Sequence, residues 1–371
     1  MTRCLSNLLT ACWYFAMISI LKNGVQVRGW ESVSVGLSLA TLCNGFSLSQ
    51  FVGDDFDSPV LFPGDAVRIE ADGELLLDGF VDEMSSSISS GSHKISVSGR
   101  EKSCDLVDCS LKDFGRSWKN RTVAQIVGDV CNSFGLLFDA NGLGKDKIVK
   151  FCPDPGCSGA DVVSDVCRQK NVVCFSDGLG KIRFVNDQNF GQADDYIRQG
   201  VNIISADVTN NNTERYSDYV VLCSSDPKTK RRGESKDGEI SRLRCLVLVD
   251  EGYGNVDSAE RRASFEVLSR AAKSTTLNVT LSGWKRSNGK LWKPGILVEC
   301  LIPAFFGNYV QNLLVNSVEL SYSSSGSFTH LELVRKDYYT QPPLKKGKTK
   351  KSKADPWAGI RAKTMASEDK K

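Results

Sequence analysis

Apolar and polar positions alternate along the first hundred residues of the chain. Runs such as VRIEADGELLLDGF and HKISVSGR repeat with a period of two and are divided by Gly, Pro and Asp turns. This period is typical of strands that bury one face, and Asn23-Gly24 is a strong signal for a tight hairpin. The pattern predicts that residues 17–105 form a first antiparallel β domain.

The period changes to that of helices after residue 106. Apolar residues recur at helical spacing behind Thr122, a candidate N-cap, and Gly135 ends that run, which predicts a helix over 122–134. A second helical run covers about 160–169 and leads into a hairpin at Asp177-Gly178. These signals predict a small α+β domain over residues 106–205.

Strand patterns return in the second half of the chain, at 203–208, 216–223, 243–250 and in four runs between 277 and 335. The stretch SSDPKTKRRGESKDGEIS has no apolar residue before Ile240 and predicts a polar loop. We therefore expect a second β domain over residues 206–339, with a helix at about 258–273. The strands between 203 and 250 belong to this domain or are shared with the first one.

The two β regions repeat one order of features. Each has Pro-Gly before a strand, a serine-rich turn with Gly-Ser, and Arg nine residues after that Gly. The predicted equivalent pairs are Pro63 with Pro294, Gly91 with Gly326, and Arg100 with Arg335. Two interpretations are open: two unrelated β-meanders, or one duplicated β domain with the α+β domain between its copies.

Composition limits the class of protein. With 41% hydrophobic and 25% charged residues, the 371-residue chain resembles ordinary soluble globular proteins. Its net charge is +3, but residues 340–371 carry ten Lys and Arg against three acidic residues, so the rest of the chain is slightly acidic. A lysine-rich, proline-containing segment cannot bury enough apolar area to fold, which predicts a disordered tail over 340–371.

The N-terminal segment allows two interpretations. Residues 1–16 run into the hairpin that begins near Met17, and they contain an apolar stretch without a small-residue cleavage site. We expect them to be a non-native extension or disordered, and a signal segment is the alternative.

The residues offer little chemistry. The thirteen cysteines form no CxxC motif and are odd in number, which predicts free, mostly buried thiols, and the two histidines, His93 and His330, lie inside β runs. We predict no catalytic site, metal or cofactor. The candidate phosphate contacts are in the polar loop, where a solvated loop tip is the alternative: Lys228, Lys230, Arg231 and Arg232.

Five segments, in this order, resemble the baseplate hub proteins of Mu-like contractile-tailed phages, which are related to phage late-control proteins. They are RGWESVSV, FPGDAVRIEADGELLLDGFVDE, VSGREKSCDLVDCS, AERRASFEVLSRA and LSGWKRSNGKLWKPGILV, within residues 17–339. The residues that carry the resemblance and the repeat are Trp30, Pro63, Gly64, Asp65, Gly79, Gly99, Arg100, Trp284, Trp292, Pro294, Gly295 and Arg335. The extra N-terminal residues, the many cysteines and the lysine tail depart from the family pattern.

The resemblance implies an α+β, mostly β fold with two similar antiparallel β-barrel domains around an inserted α+β domain. It also implies a homotrimeric ring that joins the sixfold tail tube to the threefold central spike. DNA would pass through the bore without sequence recognition, and other baseplate proteins would be partners. Such a protein has no small-molecule substrate, is located in the virion, and is assembled in the bacterial cytoplasm.

Two other functions are open on the sequence alone. A peptidoglycan hydrolase at the tail tip would need a lysozyme-like catalytic glutamate. A nucleic-acid-binding protein would act through the lysine-rich tail and the 228–236 loop, with an affinity that falls steeply with salt.

The composition change after Tyr339 leads to a first prediction. Brief trypsin treatment of the folded protein should remove the lysine-rich segment first and leave a resistant core of about 340 residues, because unfolded segments are cleaved fastest. Mass spectrometry of the products checks this. Protection of Lys345 to Lys353 would show that the segment is docked.

Overall fold

The computed structural model describes residues 18–51, 61–90, 92–112, 117–141, 143–170, 172–185, 192–223, 231–249 and 256–339. Residues 1–17 and 340–371, with the predictions made for them, lie outside the described residues. So do Gly91, Lys228 and Lys230. The fold is α+β and mostly β, as predicted.

Seven strands form the N-terminal β unit. They are β1 (Ile18–Lys22), β2 (Val25–Val27), β3 (Ser32–Ser38), β4 (Gly45–Phe51), β5 (Ala66–Ala71), β6 (Glu74–Ser89) and β7 (Ser92–Glu101). All pairs are antiparallel, in the order β3-β4-β7-β6-β5-β1-β2. The predicted hairpin between β1 and β2 is confirmed, with Asn23 and Gly24 both at positive φ, as a tight two-residue turn requires.

An α+β unit follows with its own hydrophobic core. Its elements are α1 (Cys104–Asp108), β8 (Trp118–Thr122), α2 (Val123–Ser133), β9 (Leu137–Phe138), β10 (Lys147–Phe151), α3 (Gly159–Gln169), β11 (Val173–Ser176) and β12 (Lys181–Val185). Both predicted helices are confirmed, and each begins with a capping box, from Thr122 with Gln125 and from Ser158 with Asp161. The hairpin at Asp177-Gly178 is confirmed as well.

The rest of the chain holds a second set of sheet strands and a small separate sheet. In chain order the elements are β13 (Asp195–Arg198), β14 (Ile203–Asn210), β15 (Asp218–Leu222), β16 (Arg232–Lys236), β17 (Cys245–Val249), α4 (Val256–Lys273), β18 (Thr275–Ser282), β19 (Leu297–Leu301), α5 (Pro303–Phe306), β20 (Gln311–Ser323) and β21 (Gly326–Arg335). A 3-10 turn, Lys336–Tyr338, follows. We name β13, β14 and β18 to β21 the C-terminal β unit, and β15 to β17 with α4 the satellite unit.

The satellite unit corrects one expectation. Residues Arg232–Lys236, predicted as part of a polar loop, form β16 beside β15. The strand lacks apolar alternation for two reasons. Gly233 lies directly against α4, where a Cβ would meet the Ala259 backbone at 2.1 Å. The apolar side chains of this small core come instead from the neighbouring strand β15, as Tyr219 and Val221. Among the described strands, none between 203 and 250 pairs directly with a strand of the first β region.

One pairing merges the two β units into a single sheet. Strand β20 pairs antiparallel with β3, from Ser317 opposite Ser38 to Tyr322 opposite Val33. The result is a 13-stranded sheet in which β13 and β19 branch from β20. Within the described residues the path runs from β14 at one end to β2 at the other and does not close into a barrel.

Close packing of β6 on β7 gives a second prediction. A Cβ at Gly79 would stand 2.0 Å from the Arg100 carbonyl oxygen, so Gly79→Ala must separate the two strands. We expect a loss of about 2 kcal/mol in the free energy of unfolding, measured in urea, which is typical of overpacking. The matched control is Gly238→Ala, since nothing lies within 4 Å of a Cβ at Gly238. Equal unfolding midpoints for the two variants would contradict the prediction.

Candidate assembly site

The two β units share one strand order. In the N-terminal β unit it is β3-β4-β7-β6-β5-β1, and in the C-terminal β unit it is β14-β18-β21-β20-β19-β13. Each strand of the C-terminal β unit therefore has an equivalent in the N-terminal β unit, in which β2 is an additional strand. The units differ in direction at one edge, since β1 is antiparallel to β5 whereas β13 is parallel to β19.

The register of the central hairpins is also the same. The pairing register of β6 and β7 shifts by one residue between Val81 and Glu83, and that of β20 and β21 shifts between Val315 and Ser317. We call this register shift the slip. From slip to turn, both hairpins have the same length and a two-residue connection. The repeat is therefore a property of the backbone, which favours a duplicated domain over two unrelated meanders.

The Pro-Gly segments occupy equivalent places on these hairpins. The Gly64 amide donates to the Val81 carbonyl at 2.8 Å, and the Gly295 amide donates to the Val315 carbonyl at 2.9 Å. Gly64 and Gly295 have φ of 92° and 88°, values that favour glycine. Each Pro-Gly turn thus fixes the start of its strand against the residue that precedes the slip.

The other two predicted equivalences need correction. Gly326 stands where Ser92 stands, because each opens the second strand of its hairpin directly after the two-residue turn. Arg335 consequently occupies the place of Glu101, and the pairing of Arg335 with Arg100 is wrong by one residue. A shift of one residue reverses the face of a strand, so the two arginines have different surroundings. Arg335 pairs with Asp337 at 2.9 Å.

The joint between β3 and β20 is packed like the interior of either unit. Val35 and Leu320 lie opposite each other and are fully buried. The Ser34 hydroxyl donates to the Glu319 carboxylate at 2.6 Å on the exposed face. Tyr322, at the end of the joint, packs against the hydrophobic cores of both units. We name this contact the intrachain joint.

Glu101 anchors the α+β unit to the N-terminal β unit. Its side chain is fully buried and accepts hydrogen bonds from the Asn44 amide groups at 2.6 and 3.0 Å and from the Ser176 hydroxyl at 2.7 Å. Burial raises the pKa of Glu101 above its ordinary value of 4.5, against the lowering effect of these donors. Glu101 was not predicted as an anchor from the sequence, because a glutamate at a strand end has no distinctive pattern.

Arg100 connects the slip in β6 to helix α1. Its guanidinium donates to Asp82 at 2.6 Å and to both carboxylate oxygens of Asp108, at 2.6 and 3.0 Å. The hydrogen bond from Arg100 lowers the pKa of Asp108. Such a fork-to-carboxylate contact has defined geometry, so Arg100 orients the α+β unit.

The three tryptophans that carry the family resemblance belong to the cores of the two β units. Trp284 and Trp292 are buried in the C-terminal core, and the Trp284 indole donates to the Ser321 carbonyl at 2.9 Å. Trp30 packs on the N-terminal core, and its buried Nε1 has no hydrogen-bond partner among the described residues. Asp65 accepts from the Phe62 amide at 2.7 Å and pairs with Lys22. Gly99 permits the close approach of Phe80, whose carbonyl oxygen would lie 2.2 Å from a Cβ.

The basic loop is only partly described. Arg231 is exposed, and Arg232 pairs with Glu234 at 2.5 Å within β16. Phosphate contact by Arg231 and Arg232, with Lys228 and Lys230, stays a prediction.

Eleven cysteines lie in the described part of the chain, and only four of them are buried, which corrects the expectation of mostly buried thiols. Burial raises the pKa of Cys43, Cys131 and Cys300 to about 12, so these three are poor nucleophiles at neutral pH. In the described part of the chain, no three His, Cys, Asp or Glu side chains are grouped to hold a metal ion. No helix there has the length and apolar character needed to cross a bilayer.

Three domain families match successive parts of the chain. Residues 17–101 match the N-terminal domain of Mu phage baseplate assembly protein GpP-like, and 103–186 match the second domain of baseplate hub protein gp44-like. Residues 255–341 match the fourth domain of Mu phage baseplate assembly protein GpP. The chain belongs to the baseplate hub proteins of Mu-like phage tails. The family resemblance seen in the sequence is thereby confirmed.

Similar proteins cover nearly the whole of this hub protein. The baseplate hub protein gp44 of Escherichia phage Mu is 27% identical over 342 residues, which is 88% of this chain and 89% of gp44. The 43 kDa tail protein of prophage MuSo2 from Shewanella oneidensis has a TM-score of 0.79 at 25% identity, over 87% of this chain and 99% of that one. The tail protein from Neisseria meningitidis MC58 has a TM-score of 0.77 at 19% identity, over 88% and 98%.

Glu101 gives a third prediction for this hub protein. Its folded pKa lies above 4.5, so both states bind the proton below that pH, and the stabilising contribution is lost as pH rises through the folded pKa. Wild type should therefore become less stable relative to Glu101→Gln as pH rises from 4.5 to 8, measured by urea unfolding at each pH. Glu83→Gln, an exposed change on the neighbouring strand, is the control. A stability difference that grows in favour of wild type with rising pH would contradict the assignment.

Proposed function

We propose that this hub protein is a homotrimeric ring adaptor between the sixfold tail tube and the threefold central spike. The observation that carries the proposal is the repeat of strand order and register within one chain. Three chains present six similar β units, so that a threefold assembly can meet a sixfold tube without mismatch.

In this proposal the two β-barrel domains implied by the family resemblance are residues 17–105 and 206–339. The open 13-stranded sheet supplies their strands, and the satellite unit interrupts the second domain. Residues 106–205 form the inserted α+β domain, except that β13 and the start of β14 belong to the sheet of the second β domain. Glu101 and Arg100 set the orientation of the inserted domain. The equivalent hairpins β6-β7 and β20-β21 support the view that both domains have one fold.

The function would then depend on shape and on partner surfaces. The central spike, the tail tube and other baseplate proteins are the partners, and DNA passes through the ring without sequence recognition. The protein would be located in the virion tail after assembly in the bacterial cytoplasm. Both histidines lie in strands and bond to hydroxyls, His93 to Ser86 at 2.7 Å and His330 to Thr280 at 3.0 Å. A structural role without catalysis agrees with these contacts.

The mass of the full-length protein in solution is the fourth prediction and tests the proposal. Light scattering at high concentration should give three times the chain mass of 40.6 kDa, and negative-stain images of the particle should show a ring with six similar lobes. A monomer at high concentration would overturn the ring adaptor. Clearing of cell walls in a zymogram would favour the hydrolase alternative, and DNA binding that vanishes without residues 340–371 would favour the nucleic-acid alternative.

A further inference from the structure

Two sheet edges of the single chain are without a strand partner in the described residues. Strand β14 pairs with β18 alone, and β6 pairs with β7 alone from Glu83 to Ile88. Their equivalents in the other unit are β3 and β20. Those two strands use the same edges to form the intrachain joint. One chain therefore contains one completed joint and the two halves of a second.

The free edges have the character of an interface. Ile88 is 80% exposed, whereas its equivalent Tyr322 is half-buried between two cores. Between Glu83 and Ile88 the sequence EMSSSI has no Lys, Arg or Pro, the residues that proteins use to block an exposed edge. An edge of this kind is a template for another strand.

We propose that β6 of one subunit pairs antiparallel with β14 of the next subunit and repeats the intrachain joint. We derive the residue pairs from the intrachain joint by replacing each residue of β3 with its equivalent in β14 and each residue of β20 with its equivalent in β6. They are Met84 with Asn210 of the partner subunit, Ser85 with Thr209 of the partner subunit, Ser86 with Val208 of the partner subunit, Ser87 with Asp207 of the partner subunit and Ile88 with Ala206 of the partner subunit. The inference rests on the proposed trimer and adds its interface.

Two contacts of the intrachain joint have counterparts in this register. In the intrachain joint, the Ser34 hydroxyl donates across the strands to the Glu319 carboxylate. The places of Ser34 and Glu319 are taken by Asp207 and Ser85, so the hydroxyl and the carboxylate exchange strands and the hydrogen bond is retained. Ile88 takes the place of Tyr322 beside Ala206, an apolar neighbour.

The contact is head-to-tail, since it joins different edges of the two subunits. A contact of this type closes into a ring when its rotation divides a full turn, and otherwise forms a filament. In three subunits, three intrachain and three intersubunit joints would alternate, and the sheet would continue around the whole ring.

Engineered disulfides test the register and make the fifth prediction. Opposed residues of antiparallel strands have Cβ atoms about 4.5–5.5 Å apart, and a disulfide needs slightly less. We therefore use two neighbouring pairs, Ser87→Cys with Asp207→Cys and Ser86→Cys with Val208→Cys, because closer and wider pairs alternate along the ladder. Mild oxidation of the full-length protein should yield covalent trimers on non-reducing gels for at least one pair.

The control keeps the same strands and face but shifts the register. Glu83→Cys with Asp207→Cys places the thiols four residues apart, roughly 13 Å, and should remain uncrosslinked. Single variants measure the background from the exposed Cys109, Cys152 and Cys245. A trimer by mass in which neither matched pair crosslinks above control overturns this interface and leaves the ring adaptor intact. A wild-type monomer overturns both.

Discussion

The pairing of β3 with β20 is the interaction on which the architecture of this hub protein depends. Six residue pairs join strands from opposite ends of the chain, and they convert two β units into one sheet. The buried pair of Val35 and Leu320 and the shared contact of Tyr322 make the joint continuous with both cores. Because a β ladder allows only discrete registers, the two units cannot slide relative to each other without turning their apolar faces to water.

The two units preserve geometry more strictly than side chains. Leu313 and Leu333 stand where Gly79 and Gly99 allow backbone contact, and Asn316 stands at the slip where Asp82 lies. Asp82 is held by Arg100, whereas the Asn316 side chain donates to Glu332 at 2.7 Å and accepts from the Tyr339 hydroxyl. The same irregularity is thus stabilised by an ion pair in one copy and by the hydrogen bonds of an uncharged amide side chain in the other. The two copies share a backbone path but not its side chains, which is why the repeat is faint in the sequence.

Local features were predictable because they depend on local chemistry. The Asn23-Gly24 hairpin, the capped helices and the Pro-Gly turns each follow from the conformational preferences of a few neighbouring residues. The strand at Gly233 was not predicted because it packs against α4 through a glycine, which has no side chain, and so it lacks the apolar residues that mark a strand in the sequence. The intrachain joint and the Glu101 anchor involve residues far apart in sequence, and no periodicity within a single window records such pairs. The pairing of Arg335 with Arg100 was wrong by one residue because it was counted from the glycines near the turns. A glycine indicates that a turn is present but not which position of the turn it occupies.

The bond between Ser34 and Glu319 spans 285 residues, and this separation has a consequence for synthesis. At about 5–20 residues per second, a ribosome needs roughly 15 to 60 seconds to make the chain between the two partners. Strands β3 and β4 are neighbours in sequence and can pair early, whereas the outer edge of β3 has no partner until β20 is made. The nascent protein therefore passes through a long interval in which it can pair with the wrong neighbour. The yield of folded protein should depend on how this unpaired edge is shielded as much as on the stability of the finished sheet.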